Sequence, residues 1–260
     1  SNKEDKNIVS TVDSSYPIYM WFDNGTIYWW SEDKTPSFNE DASSMFYRFC
    51  ELSDISGLKH IDLTHTKSIN SFFAHTSLET LDSLELWNTS FITSMQFVFE
   101  NNFYLTDMTG IKNWNVENVK EMGSFFSRCF QLETIDLSNW STLSLEGING
   151  MFNMSPLPNS SMSTSLKRII LSEKFDTSKV IYMIDVFSFN SLIEDYQFLQ
   201  YFDTSNTLKL DEMFLNNTSL NSLELLKSWD VSKVSSLKRT VAYCTGLESL
   251  TGLEDWDVSN

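Results

Sequence analysis

The chain has 260 residues, of which 18 are Lys or Arg and 35 are Asp or Glu, so its formal net charge is −17. An acidic balance of this size disfavours binding to nucleic acids or anionic lipid surfaces, because both need clustered cations. Three Cys are too few for a disulfide scaffold, and no apolar run reaches the ~20 residues of a membrane span.

The chain opens with a polar segment, residues 1–15, that we expect to be flexible. Residues 16–44 follow, with two aromatic-rich runs on either side of Asn24-Gly25. Because Asn-Gly supplies the positive φ angles of a tight turn, we predict a β-hairpin here. Terminal repeats need a cover, so we expect this hairpin to cap the repeat array described next. The alternative is an exposed aromatic platform of Tyr19, Trp21, Tyr28 and Trp30.

Residues 45–260 carry an internal repeat that is marked by an aromatic anchor. The anchors are Phe46, Phe73, Phe99, Phe126, Phe152, Phe187, Phe214 and, as an aliphatic equivalent, Val241. Six of the seven intervals are 26 or 27 residues, and the other is 35 because of a loop-like insertion near 154–165. A second series precedes successive anchors by 12 residues and ends with one further Trp: Trp87, Trp114, Trp140, Phe175, Phe202, Trp229 and Trp256. This self-similarity predicts stacked units that share one continuous core.

The 12-residue arc that leads to each anchor has the apolar spacing of a helix. In one copy Ile92, Met95, Val98 and Phe99 have relative offsets of 0, 3, 6 and 7, which describe one helical face. Asn-Thr-Ser or Asp-Thr-Ser sequences begin several of these arcs, just before the predicted helix, and such short polar side chains cap helices. We therefore predict a short helix of about two to three turns in each repeat.

The other arc reads L-x-x-L-x-x-L-x-x-W in several copies and tightens to LETIDLSNW at residues 132–140. This pattern predicts a short parallel strand near residues 135–137 and at the equivalent positions. The predicted fold class is α/β, a leucine-rich-repeat-like right-handed solenoid of about seven to eight 26–27-residue strand–helix repeats with the N-terminal hairpin as its cap. The sequence stops at 256–260, where a further helix is due, so we expect the last repeat to be incomplete and the full protein to continue.

These strings carry a family resemblance. LETIDLSNW, with F-D-T-S-K-V-x-x-M-x-x-x-F and S-R-C-x-x-L elsewhere, resembles the BspA-type leucine-rich repeat of bacterial surface proteins. The stretch IYMWFDNGTIYWWSE, leading into SSMFYRFCELS, is similar to the segment that precedes such repeats in Gram-positive members. The resemblance covers roughly residues 16–260. It implies a secreted or wall-attached bacterial protein, with adhesion to host proteins, host cells or other bacteria among its relatives, and it brings no catalytic residues.

Acidic residues recur just after the first Leu of the strand arc. They are Glu79, Glu133, Glu194 and Glu248, with Asp107 and Asp195 one place further on. Stacked like charges repel unless they are solvated or neutralised. This acidic column therefore forms a solvated polar turn or binds Ca²⁺ or a cationic partner. Together with Trp21 and Trp30, these acids are the candidate binding residues.

Cys50, Cys129 and Cys244 lie three or four residues after an anchor, and we expect all of them to be buried free thiols. The strict register of the Trp and Phe columns favours a place in the core over carbohydrate stacking. No catalytic motif appears, so we predict that the chain is not an enzyme and needs no cofactor.

The three histidines, His60, His65 and His75, match no ligand spacing, and we predict no metal site. The predicted function is binding of an extracellular protein or glycan through the solenoid surface, as a secreted or cell-surface adhesin. The alternative is a structural spacer that displays another domain and has no ligand of its own.

Overall fold

The computed structural model describes residue 8, residues 16–32 and residues 35–257. Strands β1 (Tyr19–Asp23) and β2 (Thr26–Trp30) pair antiparallel, and β3 (Thr134–Asp136) pairs parallel with β4 (Arg168–Ile170). The 3₁₀ helices of the described residues are Ser56–Leu58, Asp82–Leu84, Thr109–Ile111, Gln197–Tyr201 and Glu224–Leu226. Turns, bends and isolated bridges make up most of the remainder.

The predicted α/β solenoid of strand–helix repeats is wrong. The described residues contain no α-helix, and both of their sheets have only two strands. We call each repeat a coil and number the coils 1 to 8 by their anchors. In every coil except the fifth, the residues two places before and two places after the anchor have positive φ, as Phe97 (59°) and Asn101 (58°) do in coil 3. Since a right-handed helix needs negative φ throughout, the predicted helices are successive turns instead.

Backbone hydrogen bonds stack each coil on the next. Parallel bridges join one equivalent position of successive coils: Asp41, Ser68, Ser94, Glu121, Gly147, Tyr182, Lys209 and Ser236. In coil 3 the N–H groups of Phe97 and Phe99 donate to the carbonyls of Gly123 and Phe125 at 2.8 and 3.1 Å. The N–H of Glu100, which follows Phe99, closes a turn within the same coil by donating to the carbonyl of Phe97 at 3.2 Å. This alternation satisfies the buried backbone without helices or long strands.

Leucine spacing decides the local structure of the other arc. A spacing of three at residues 78–84 matches the three residues per turn of a 3₁₀ helix, and Asp82–Leu84 forms one. Where Ile135 and Leu137 shorten the spacing to two, Thr134–Asp136 forms β3. The expected strand is therefore present here, whereas 3₁₀ helices replace it in several other coils.

The anchors form one column of rings through the core. From Phe46 to Phe214, the ring centroids of neighbouring anchors lie 5.4 to 6.4 Å apart, with 17° or less between the planes. Two neighbouring pairs of the second series stack as well: the centroids of Trp87 and Trp114 are 6.0 Å apart, and those of Phe202 and Trp229 are 6.2 Å apart. The prediction that both series belong to the core is confirmed by their burial, although Val241 and Trp256 are half-buried.

The hairpin around Asn24-Gly25 is present, with φ angles of 45° and 81° at these two residues. The insertion near 154–165 forms a loop without helix or strand. The predicted flexible segment 1–15 lies outside the described residues, apart from Ile8, which bridges to Tyr19.

Candidate binding surfaces

The outer side of the hairpin carries four aromatic rings, which we call the aromatic face. Cross-strand partners share a side of the hairpin, so Tyr19 lies beside Trp30 and Trp21 beside Tyr28. The Tyr19 and Trp30 centroids are 5.8 Å apart, and those of Trp21 and Tyr28 are 5.6 Å apart with 12° between the planes. The structure therefore brings both candidate tryptophans, Trp21 and Trp30, onto one surface.

The opposite side of the hairpin faces coil 1 across a cavity of about 880 Å³, which we call the hairpin cavity. Met20, Phe22, Ile27 and Trp29 line it, while the four residues of the aromatic face do not. Trp29 also packs against the core. One side of the hairpin thus faces coil 1 across the cavity, and the other side carries the four aromatic rings. The cap and the aromatic platform both stay predictions.

The candidate glutamates occupy alternate coils of one column. In chain order this column reads Glu79, Thr106, Glu133, Lys167, Glu194, Asn221 and Glu248. All four glutamates are exposed, and the Lys167 Nζ lies 3.1 Å from the Glu133 Oε2. At ~4.8 Å per coil, successive glutamates are roughly 10 Å apart. The column is therefore a solvated and partly neutralised stripe and not a converging set of carboxylates.

The two candidate aspartates close turns. The Asp107 Oδ1 accepts the N–H of Thr109 at 2.8 Å, and the Asp195 Oδ1 accepts the N–H of Gln197 at 2.8 Å. Each pair lies where a 3₁₀ helix begins. Within the described ranges, no group of three or more His, Cys, Asp or Glu is placed to hold a metal ion, so the geometry gives the calcium alternative no support.

A further surface, which the sequence analysis missed, lies on coils 6 and 7. Ile181, Tyr182 and Leu208 are 43%, 43% and 37% exposed, and the N–H of Leu208 donates to the carbonyl of Ile181 at 2.8 Å. We call these three residues the turn-face patch. The Nζ of Lys209 lies 5.7 Å from the Tyr182 ring centroid, and Lys179 also belongs to this edge of coil 6.

The residues that other coils carry at the positions of Ile181 and Leu208 show how the turn-face patch differs from the rest of its face. In coils 4 and 5 the positions of Ile181 and Leu208 are taken by Lys120 and Glu146, which form an ion pair at 2.9 Å. The signal in the sequence is an apolar residue at a position that is charged or hydroxylated in every other coil. Aligning the coils column by column would have found it.

The buried cysteines act as side-chain donors to the anchor column. The Sγ of Cys129 donates to the carbonyl of Phe99 at 3.1 Å, and the Sγ of Cys244 donates to that of Phe214 at 3.0 Å. Burial raises the pKa of both thiols, which opposes a nucleophilic role. The prediction of buried thiols is confirmed for these two and is wrong for Cys50, which is exposed.

His75 belongs to a polar cluster on coils 1 to 4. Its Nε2 lies 3.1 Å from the Asn101 Nδ2, and the Tyr47 ring meets the imidazole edge-on at 5.5 Å between centroids. Burial, followed by the charges of Arg48 and Arg128, lowers the pKa of His75. The neutral imidazole then accepts the Asn101 amide hydrogen.

The family model described as "Mycoplasma protein of unknown function, DUF285" matches the chain twice, over residues 66–169 and 154–260. Together the matches span three quarters of the chain. The chain belongs to the DUF285 family. The first DUF285 match contains four anchors and the second contains three, and the two matches overlap where the insertion lies. The hairpin and its cavity lie before the first DUF285 match.

The chain has no significant match among curated proteins or among solved structures. Within the part of this DUF285 chain that the structure describes, no helix has the length and apolarity needed to cross a membrane.

Proposed function

We propose that this DUF285 chain is a non-enzymatic, secreted or cell-surface binding protein of a bacterium, an adhesin that contacts an extracellular protein or glycan. The turn-face patch is the observation that carries the proposal. The relation of DUF285 repeats to BspA-like surface proteins supports both the BspA-type assignment of these repeats and a place at the cell surface.

The turn-face patch has the composition of a protein-binding surface. Apolar side chains that are exposed together mark interaction sites more often than scattered ones do. Aromatic residues are enriched in the centre of interfaces, and the Tyr182 ring lies 5.7 Å from the Lys209 Nζ. We therefore expect Tyr182 to contribute most of the contact energy at this surface.

The charges around the turn-face patch indicate the chemistry of the partner. Lys179 and Lys209 flank the patch in a chain of net charge −17. A partner with exposed apolar side chains and a rim of carboxylates is attracted to these lysines and repelled by most of the remaining surface. The patch therefore favours a protein partner with an acidic rim.

The aromatic face supports the glycan part of the proposal. Its paired rings present broad apolar surfaces, against which the C–H faces of sugar rings can pack. Tyr28 is 44% exposed and Trp21 is half-buried, so both rings are partly open to solvent. This surface is separate from the turn-face patch and calls for its own variant.

Arrays of extracellular matrix proteins, host surface proteins and glycans test the proposal. We expect saturable binding to at least one immobilised component, and a loss of at least about tenfold in affinity for a protein partner in Ile181→Ser/Leu208→Ser, since about 1.4 kcal/mol is tenfold. Leu86→Ser/Leu192→Ser is the matched control, because both residues are exposed leucines outside the patch. Tyr28→Ala tests the proposed binding of glycans by the aromatic face in the same way.

The alternative is a structural spacer without a ligand. The continuous anchor column favours it, because a uniform stack transmits length and stiffness without any specific surface. Uniformly negative arrays would replace the adhesin proposal with this one. Protein binding that Ile181→Ser/Leu208→Ser retains would instead show that the turn-face patch is not the binding surface.

A further inference from the structure

The hairpin cavity is larger than a packing defect. Protein interiors contain few voids larger than a water molecule, whereas ligand pockets span about 300–1,000 Å³. At about 880 Å³, the space between hairpin and coil 1 falls in the second range. Its volume therefore corresponds to a small-molecule site.

The sequence of coil 1 creates this space. Ala42 occupies a position that holds Ile69 in coil 2 and Met95 in coil 3, and Met45 occupies the position of Phe72. Ala42 and Met45 both line the cavity. Smaller side chains on the wall of coil 1 leave volume that the facing hairpin does not fill.

Carboxylates supply the charge of the hairpin cavity. Asp41, Glu51 and Asp54 line it, and none of its described lining residues is Lys, Arg or His. The hydroxyl and N–H of Ser43 lower the pKa of Asp41, and the N–H and hydroxyl of Ser56 lower the pKa of Asp54. Both aspartates are therefore ionised at neutral pH, and the apolar walls end in a negative rim.

We infer that the hairpin cavity binds a small amphiphilic cation, with its apolar body against Met20, Trp29 and Phe46 and its ammonium group at the rim that carries Asp41, Glu51 and Asp54. Apolar walls remove the hydrocarbon from water, and the carboxylates attract the cation. The same carboxylates repel fatty acids and other anionic amphiphiles. This site is independent of the proposed adhesin function, because it shares no residue with the turn-face patch or the aromatic face.

Calorimetric titration of the full chain with three probes of equal chain length tests the inference. The probes are dodecyltrimethylammonium, dodecanol and dodecyl sulfate, each used as monomers in solution. We expect one saturable site for the cation, with at least about tenfold weaker binding of the anion. Equal binding of cation and anion, or cation binding without a saturable single site, would overturn the inference.

Two kinds of variant locate the site. Glu51→Gln/Asp54→Asn should bring the cation affinity toward that of the neutral alcohol, because Asp41 is then the one carboxylate left among the described lining residues. The amide oxygen introduced at position 54 can still accept the N–H of Ser56. Glu133→Gln/Glu194→Gln is the matched control, because it removes two exposed carboxylates far along the chain. Met45→Phe, which copies the residue of coil 2, should weaken all probes by filling the cavity. Retained affinity in the carboxylate variant contradicts the site even if Met45→Phe fails to fold.

Discussion

Trp140 shows what a single side chain does inside a coil. It is fully buried, and its indole N–H donates to the carbonyl of Ile111 in the preceding coil at 3.1 Å. Trp87, Trp114, Trp229 and Trp256 form the equivalent bond. The indole thus fills the core and gives a carbonyl of the preceding coil a second donor beside a backbone N–H.

Replacing Trp140 with Phe removes the donor and keeps an aromatic ring. We expect Trp140→Phe to lower the free energy of unfolding by about 0.5–1.5 kcal/mol, because the carbonyl of Ile111 keeps the N–H of Trp114 but loses its second donor. Urea unfolding followed by circular dichroism measures the change. Trp21→Phe on the hairpin is the control, and equal stability of the two variants would show that the indole bond contributes nothing.

His75 predicts a dependence of stability on pH. Its pKa in the folded chain is lowered below 6.5 by burial and then by Arg48 and Arg128, so the unfolded chain binds a proton at a higher pH than the folded chain does. This contribution is fully present above about pH 6.5 and is lost as the pH falls through the folded-state pKa. We expect thermal unfolding of His75→Gln to lose part of the acid sensitivity of the wild type between pH 7 and 5.

The pH dependence of unfolding of His75→Gln must be expressed as a difference from that of the wild type, because carboxylates also titrate in acid. Burial raises the pKa of Glu100, which lies beside Arg128, and this shift acts on stability in the opposite direction. His65→Gln replaces an exposed histidine of the neighbouring turn and serves as the control. A parallel pH profile for His75→Gln and the wild type would contradict this account.

At the scale of the element, the coil depends on backbone angles that most side chains avoid. Gly150 of coil 5 has a φ of 65°, and a Cβ added there would lie 3.0 Å from the Ser124 Oγ. We expect Gly150→Ala to destabilise the chain by about 1 kcal/mol, since the left-handed region costs an L-residue roughly that much. Gly57→Ala is the control, because its φ is not positive and its new Cβ meets only the Trp29 indole nitrogen at 3.4 Å. Thermal unfolding that ranks the two variants equally would argue against these turns.

The local structure of the coils is also the feature that the sequence analysis predicted wrongly, because it expected helices there. Offsets of 0, 3, 6 and 7 at Ile92, Met95, Val98 and Phe99 suit a helix, but they suit successive three-residue turns equally well. The positive-φ positions two places before and after the anchors hold residues such as Phe97 and Ser124, and Gly150 is the one glycine among them. By contrast, the Asn24-Gly25 pair is typical of a tight hairpin turn, and the hairpin was predicted from it.

For the candidate sites, the sequence placed some residues together and missed the arrangement of others. Trp21 and Trp30 were expected on one hairpin and share one face of it. The acidic residues were treated as one continuous column, and Lys167, which interrupts it, was overlooked. The turn-face patch and the hairpin cavity depend on comparing equivalent positions between coils, and a search for motifs along the chain does not do this.

At the scale of the whole molecule, the coils are stabilised by their neighbours. The anchor rings form a continuous column from Phe46 to Phe214, and each coil hydrogen-bonds to the next through its backbone. A single coil exposes both sides of this column to water, so its stability depends on the coils beside it. The anchor register, read from intervals of 26 or 27 residues, was the part of the architecture that the sequence predicted well.

Cysteine cross-linking between coils tests the in-register stacking most directly. The Ser43 and Ser68 hydroxyl oxygens, 25 residues apart along the chain, lie 2.8 Å apart in space. In a Cys50→Ser background, Ser43→Cys/Ser68→Cys should form an intramolecular disulfide on mild oxidation, whereas Ser43→Cys/Ser94→Cys, displaced by one further coil, should not. Equal cross-linking of the two pairs, or cross-linking of the displaced pair alone, would contradict the stacked arrangement.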